Sequence, residues 1–300
     1  MTERAATETV SVAPDRGKAA PRVAIVTDSA SDIPPDEAAE HGIGVAPLLV
    51  IFGPTEYRTG VDISAEQFWT MMLAPGAPFP RTAACSPAEF THAYDGAFDA
   101  GAEAVVCVTV GGKLSATLKS ARVARDGMPK REIHVIDSES ASYGFGIPVL
   151  MAAEMAAAGA GAAEIATTVE ARLKDMRFYV VLETLEYLRR GGRISGVKAA
   201  IGGVLSTKPI ITIADGLVET VDRPRTRGKA RERLFALLAA EPVERAVVIH
   251  GMAPDIEGFA DELATVTGLD REDVAIRLIG PSIGPHVGPG AYGAVVLRKG

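Results

Sequence analysis

Three short segments bring together residue types able to do chemistry. GPSIGPHVGPG, residues 280–290, sets His286 among four glycines and three prolines. Such density excludes a regular helix or an interior strand, because Pro has no N–H and Gly loses the most backbone entropy on ordering; the segment is expected to be a loop. GGKLSAT (111–117) is a glycine turn between an apolar strand and a helix. It would aim the N–H groups of Gly111 and Gly112, the helix dipole and the Ser115 hydroxyl at one point, which is how an anion is held, unless Ser115 only caps its helix. LRRGGRIS (188–195) presents Arg193 after a glycine pair. A guanidinium there can grip two oxygens of one acid group, or it is a solvated residue beyond a helix end.

Two motif matches fail on context. GPSIG (280–284) fits the GxSxG nucleophile elbow, but that elbow must lead into a helix, and no Asp or Glu follows Ser282 to complete the order of a hydrolase triad. GPGAYG (288–293) fits GxGxxG but has no following helix and no acidic residue downstream, and no phosphate-cradling GxxxxGK[ST] occurs. A hydrolase could still be built from Ser115 and His286, with Asp28 or Asp137 orienting the ring.

Composition narrows the function classes. The 300 residues, 47% of them hydrophobic, suffice for two medium domains, and a net charge of −7 argues against a nucleic-acid binder. Cys85 and Cys107 show no zinc-type spacing, which suits a reducing cytoplasm and predicts no metal site. The chain has no asparagine and a single glutamine, Gln67, so a polar site must use hydroxyls, charges, histidine and backbone. Residues 1–21 lack the apolar core of a signal peptide and read as a disordered tail. The most apolar long stretch, 144–164, carries Glu154 and falls short of a membrane span, leaving at most transient membrane contact.

The elements that position these residues follow from pattern. VAIVTD, AEAVVCVTV and EIHVID are apolar runs, each followed by a loop and a helix, which predicts a parallel, doubly wound sheet with its ligand at the carboxyl ends of the strands after Asp28, Val110 and Ile136. GVAPLLVIFG and TEYRTG are expected as a strand and its returning partner. SAEQ (64–67) is a capping box opening a helix through Phe68, and SPAE (86–89) is a second, so Ser86 is a cap. Beyond about residue 170 come FYVVLE, a hairpin turning at Asp215-Gly216, a basic helix, RAVVIH and DVAIRLIG, which predict a second, mixed α/β lobe. The expected division is tail 1–21, lobes 22–172 and 173–300.

In this order the segments resemble the DegV family of bacterial fatty-acid-binding proteins, over residues 23–298. The resemblance rests on TDSASDIP (27–34), the pattern of Thr82, Ser86, Pro87 and Phe90, LSAT (114–117), IDSESASYGFG (136–146), LEYLRRGGRIS (185–195), KPIITIADG (208–216) and GPSIGPHVGPGAYG (280–293). It implies a two-lobed fold with an acyl chain between the lobes. The carboxylate would be held by Thr82, Ser115 and His286 with Arg193 nearby, there would be no cofactor, and a partner fatty acid kinase would make the acyl-phosphate. His286 would then ride a rigid arm from the second lobe. Where relatives read SSxLSGT this chain has GGKLSAT, and TAACS replaces a TSQPS-like segment, so the amides of Gly111 and Gly112 are expected to substitute for lost hydroxyls. SGVKAAIGGVLS (195–206) is expected to be a helix, packed on the acyl chain or tightly on a sheet. Arg189, Arg190 and Arg193 with RPRTRGKARER (223–233) suggest a basic docking face. The alternatives are the Ser115/His286 acyl hydrolase and a regulatory module for another small carboxylate.

Overall fold

The computed structural model describes residues 22–194 and 207–300; the expected tail and the expected helix at 195–206, Gly203 included, lie outside them. In the first lobe, strands β1 (Val23–Asp28), β2 (Gly44–Ala46), β3 (Leu49–Phe52), β4 (Thr55–Arg58), β5 (Arg81–Ala83), β6 (Ala104–Thr109) and β7 (Glu132–Asp137) alternate with helices. These are α1 (Pro35–Glu40), α2 (Ala65–Leu73), α3 (Pro87–Asp99), α4 (Thr117–Asp126), α5 (Tyr143–Ala157) and α6 (Ala162–Leu173). The second lobe contains β8 (Met176–Val181), α7 (Glu186–Arg190), β9 (Ile210–Ala214), β10 (Leu217–Asp222) and α8 (Arg227–Leu238). It continues with β11 (Val243–His250), α9 (Ile256–Thr267), β12 (Val274–Leu278), α10 (Gly284–Val287) and β13 (Tyr292–Arg298).

The expected parallel sheet is present, in the order β2-β1-β6-β7. All six residues of β6 are buried, as a strand covered on both faces requires. The second sheet runs β10-β9-β8-β13-β11-β12 and is mixed: β11 and β12 pair parallel, its other neighbours antiparallel. Asp215 and Gly216 turn the β9–β10 hairpin with positive φ at both positions, the geometry that matches strand twist.

Two expectations change. GVAPLLVIFG is not one strand: it breaks at Pro47, and β2 joins the parallel sheet while β3 joins a separate antiparallel sheet, β4-β3-β5. Pro47 cannot donate a ladder hydrogen bond, so pairing ends there. The arm at 280–290 is not wholly a loop, because Gly284–Val287 make one helical turn. Pro285 falls in the first turn, where its missing N–H costs nothing, and Gly288 at φ 73° ends it.

The lobes are bound together along a long seam. Asp32 accepts from the Ser142 hydroxyl at 2.6 Å and from the Gly280 N–H of the second lobe at 3.1 Å. Arg277 donates to the Glu37 carboxylate at 3.1 Å and to the Tyr143 hydroxyl at 2.9 Å, and Arg245 holds Glu154 through two bonds of 2.8 and 2.7 Å. The Trp69 indole donates to the Ile279 carbonyl at 2.8 Å. Helix α5 is buried on nearly every side and packs on strands of both sheets.

At the carboxyl edge of β1, Asp28 accepts the Ala30 N–H at 3.0 Å and the Val110 N–H at 2.8 Å, locking the turn after β1 to the end of β6. Burial pushes its pKa up to about 7 even though both oxygens receive amide hydrogens. Replacing Asp28 with Asn turns an NH₂ group toward one of those N–H donors. At pH 8 it should cost about 1–3 kcal/mol, read as a lower urea midpoint.

Candidate functional site

The seam opens into a cavity whose empty space, its open mouth included, is about 670 Å³. Its walls are mainly apolar: Leu48, Val110 and Leu114 come from the first lobe, and Phe178, Leu188, Ile211, Ile213 and Val218 from the second. Four polar side chains named from sequence, Thr82, Ser115, Arg193 and His286, line it together.

His286 reaches this wall because its arm is anchored behind. The capping box of Ser64 and Gln67 starts α2, whose Phe68 and Trp69 are fully buried against the arm. A Cβ on Gly284 would stand 2.3 Å from a Phe68 ring carbon, so only glycine allows this approach. On the other side, a Cβ on Gly191 would stand 2.1 Å from His286 Nδ1. The ring shares a hydrogen bond with the Thr82 hydroxyl across the seam, at 3.1 Å from Nε2, while buried Nδ1 has no partner among the described residues. Burial first, and the positive charge of Arg193 second, lower the His286 pKa to about 4. The ring is therefore neutral at physiological pH.

Thr82 sits on β5, opposite Val50 of β3. The Ser115 hydroxyl shares a hydrogen bond with Thr117 Oγ1 at 2.8 Å and accepts the Thr117 N–H at 3.2 Å, so it borders the cavity and also trims the start of α4. Thr117 Oγ1 in turn accepts the Cys85 N–H at 3.3 Å, tying this turn to the segment after β5. Half-buried Arg193 donates from Nε to the Leu114 carbonyl at 3.1 Å and from Nη1 to the Gly191 carbonyl at 2.7 Å, which fixes the guanidinium across the seam. Desolvation lowers its pKa, and it has no carboxylate partner among the described residues.

Gly111 and Gly112 do not join this group. The Gly111 N–H donates to the Ser140 carbonyl at 2.8 Å and the Gly112 N–H to Asp137 at 3.0 Å, while the amides of Leu114 and Ser115 both turn to the Gly111 carbonyl. The turn satisfies its own donors, and both glycines are instead required by packing: a Cβ would meet Glu139 and Ser140 backbone at 3.0 Å, or Leu118 at 2.6 Å. Asp28 spends both oxygens and Asp137 its Oδ1 on backbone amides, and no acid reaches His286 Nδ1 among the described residues, so no Ser–His–acid triad is assembled. Among those residues there is likewise no cluster suited to a metal ion, and no helix is long and apolar enough to cross a membrane.

The basic face is largely neutralised by its own neighbours. Arg189 pairs with Glu186, Arg227 with Glu183, Arg231 with Asp255 and Glu262, and Arg233 with Asp222, while Arg190 lies over the Phe79 ring at 3.8 Å. Sequence reasoning also passed over two features of the cavity. Strand β5 is too short to show a pattern. Ser282, dismissed as a nucleophile, lines the wall, and its place four residues before His286 was the available signal.

Comparison with known proteins agrees with this architecture. Residues 22–299 match the sequence model described as "Uncharacterised protein, DegV family". A DegV domain-containing protein of Caldanaerobacter subterraneus is 36% identical, covering 93% of this chain and 99% of its own. A DegV family protein of Thermus thermophilus, described by its fatty acid binding, superposes with TM-score 0.83 at 33% identity over 93% of this chain and 100% of that one. DegV of Bacillus subtilis, described as a fatty acid binding protein, superposes with TM-score 0.81 at 30% identity over 92% and 99%.

The state of His286 has a measurable consequence. Its ordinary pKa of 6.5 falls to about 4 in the fold, so between those values the unfolded chain binds more protons. The stabilisation from keeping the ring neutral is complete above pH 6.5 and is lost as pH falls toward 4. A His286→Gln variant should lose less stability than wild type between pH 7 and 5, measured by urea midpoints at the two values.

Proposed function

We propose, for a chain that belongs to the DegV family, that it carries a long-chain fatty acid in the cavity between its lobes, taken as residues 22–172 and 173–300. The carboxylate lies among Thr82, Ser115, Arg193 and His286. The observation that carries this reading is Arg193: a half-buried guanidinium, fixed by two carbonyls, faces an apolar cavity with no carboxylate partner among the described residues. A buried cation is costly unless paired, and an acid head group pairs it while the tail fills the apolar space. The two fatty-acid-binding relatives support the same ligand class.

Magnitudes divide the labour. Burying about 14 methylenes is worth roughly 11 kcal/mol at about 0.8 each, whereas a hydrogen bond to a charged group nets about 1.5–3. The tail sets affinity and the polar residues set orientation. Neutral His286 can donate from Nε2 to a carboxylate without adding a second buried charge, and the Thr82 and Ser115 hydroxyls can donate beside it.

The chain is then a cytoplasmic carrier that presents the acid to a partner fatty acid kinase, and the partner performs the phosphoryl transfer. The kinase follows from family resemblance; the fixed guanidinium is suited to hold the new acyl-phosphate by two oxygens.

Native mass spectrometry with organic extraction should show one long-chain fatty acid per chain; a short polar metabolite, or nothing, would sink the carrier reading. In an ATP-turnover assay the chain alone should be inert. With a fatty acid kinase subunit present, Arg193→Ala should reduce turnover by about tenfold or more, from the loss of a charged hydrogen bond. Equal turnover in the two proteins would remove Arg193 from this role.

A further inference from the structure

Ser282 is a polar group that the proposed head-group site leaves unused. It is 3% exposed, lines the cavity and stands four residues before His286 on the same arm. The turn at 281–283 runs directly into α10, with the Gly284 N–H bonded to the Gly280 carbonyl at 2.9 Å. The same cavity wall includes the apolar Ala30, Leu48, Val110, Ile283 and Val287. For a plain hydrocarbon tail an apolar side chain would serve better, because a hydroxyl must keep a hydrogen-bond partner wherever it is buried.

Behind Ser282 stand two more hydroxyls. Its Oγ lies 3.2 Å from Thr59 Oγ1 and 3.4 Å from Ser29 Oγ, and Ser29 and Thr59 are hydrogen-bonded to each other. Leu48 holds that pair, donating its N–H to Ser29 Oγ at 2.9 Å and accepting from Thr59 Oγ1 at 3.2 Å. The hydrogens can be counted. Thr59 gives its hydrogen to Leu48, and Ser29 gives its own to Thr59. Ser282 keeps one hydrogen and its lone pairs, engaged only in contacts of 3.2 Å with Thr59 and 3.4 Å with Ser29.

We propose that Ser282, backed by Thr59 and Ser29, is a subsite for a hydroxyl carried on the acyl chain near its carboxyl end, so that the cavity accepts hydroxylated long-chain fatty acids. This deepens the fatty-acid reading and rests on it. Ser282 and His286 line the same cavity four residues apart on one short arm, so Ser282 serves positions close to a carboxylate held at His286 rather than the far end of the chain. With an unsubstituted acid bound, Ser282 bonds back to Thr59 and nothing buried is left unpaired. With a hydroxy acid bound, the substituent and Ser282 satisfy each other, offsetting the desolvation of both.

The test is titration calorimetry of delipidated protein with palmitic, 3-hydroxypalmitic and 16-hydroxypalmitic acids, reading ratios of affinity. Wild type should bind the 3-hydroxy acid at least as tightly as palmitic acid and the 16-hydroxy acid about tenfold more weakly, as a hydroxyl buried without a partner requires. Ser282→Ala should lower the ratio of 3-hydroxy to palmitic affinity about tenfold. Ser282→Cys, which keeps the size with a weak donor, should do the same and provides a second variant. An unchanged ratio in both variants, or a 16-hydroxy acid bound as well as the 3-hydroxy acid, overturns the subsite while palmitic binding stands. Wild type that binds none of the three overturns the fatty-acid reading and the subsite together.

Discussion

A single neutral imidazole wedged across the seam of two lobes is the contact on which the site depends. His286 shares a hydrogen bond with Thr82 of the opposite lobe, and its ring is confined between that hydroxyl and Gly191. Burial and the nearby Arg193 keep the ring uncharged. Were it protonated, the cavity would hold two adjacent buried cations, and one carboxylate could not compensate both.

The surrounding structure serves that placement. A capping box starts α2, α2 delivers Phe68 and Trp69, and those rings press on Gly284 while the Trp69 indole donates to the Ile279 carbonyl, which sets the height of the arm. On the far face Asp32 reaches the Gly280 amide and Arg277 engages Glu37 and Tyr143, so the same arm is tied at its root. Many polar contacts cross the seam, yet the cavity they enclose is mainly apolar. Rigid walls with few polar points suit a long apolar ligand whose one charged end must be oriented.

The chain also shows how a protein without asparagine, and with one glutamine, builds polar surfaces inside a core. Hydroxyls fill that role, as Ser115 with Thr117, Thr82 with His286, and the cluster of Ser29, Thr59 and Ser282. A hydroxyl is both donor and acceptor and rotates to suit its partner, so short chains of them stay satisfied with or without a ligand.

The two large sheets of the fold follow from sequence alone, while the small sheet β4-β3-β5 does not. Apolar runs set between helices dictate a parallel sheet, Asp215-Gly216 dictates a hairpin, and paired caps place α2 and α3, because these signals act over a few residues. Thr82, Ser115, Arg193 and His286 were legible as a group only through family resemblance, since they are separated by up to about 200 positions in the chain. Which of the candidate donors point inward was settled by tertiary contacts. The amides of Gly111 and Gly112 looked available because glycine turns often leave them so, but Asp137 and Ser140, brought close by β7 pairing with β6, consume them. Strand β5 exists only because β3 offers it an edge, and Ser282 became a wall residue only when the second lobe closed on Ser29 and Thr59. Local propensity cannot encode such meetings: their partners are remote, and whether a polar group is spent or available depends on what the fold sets against it.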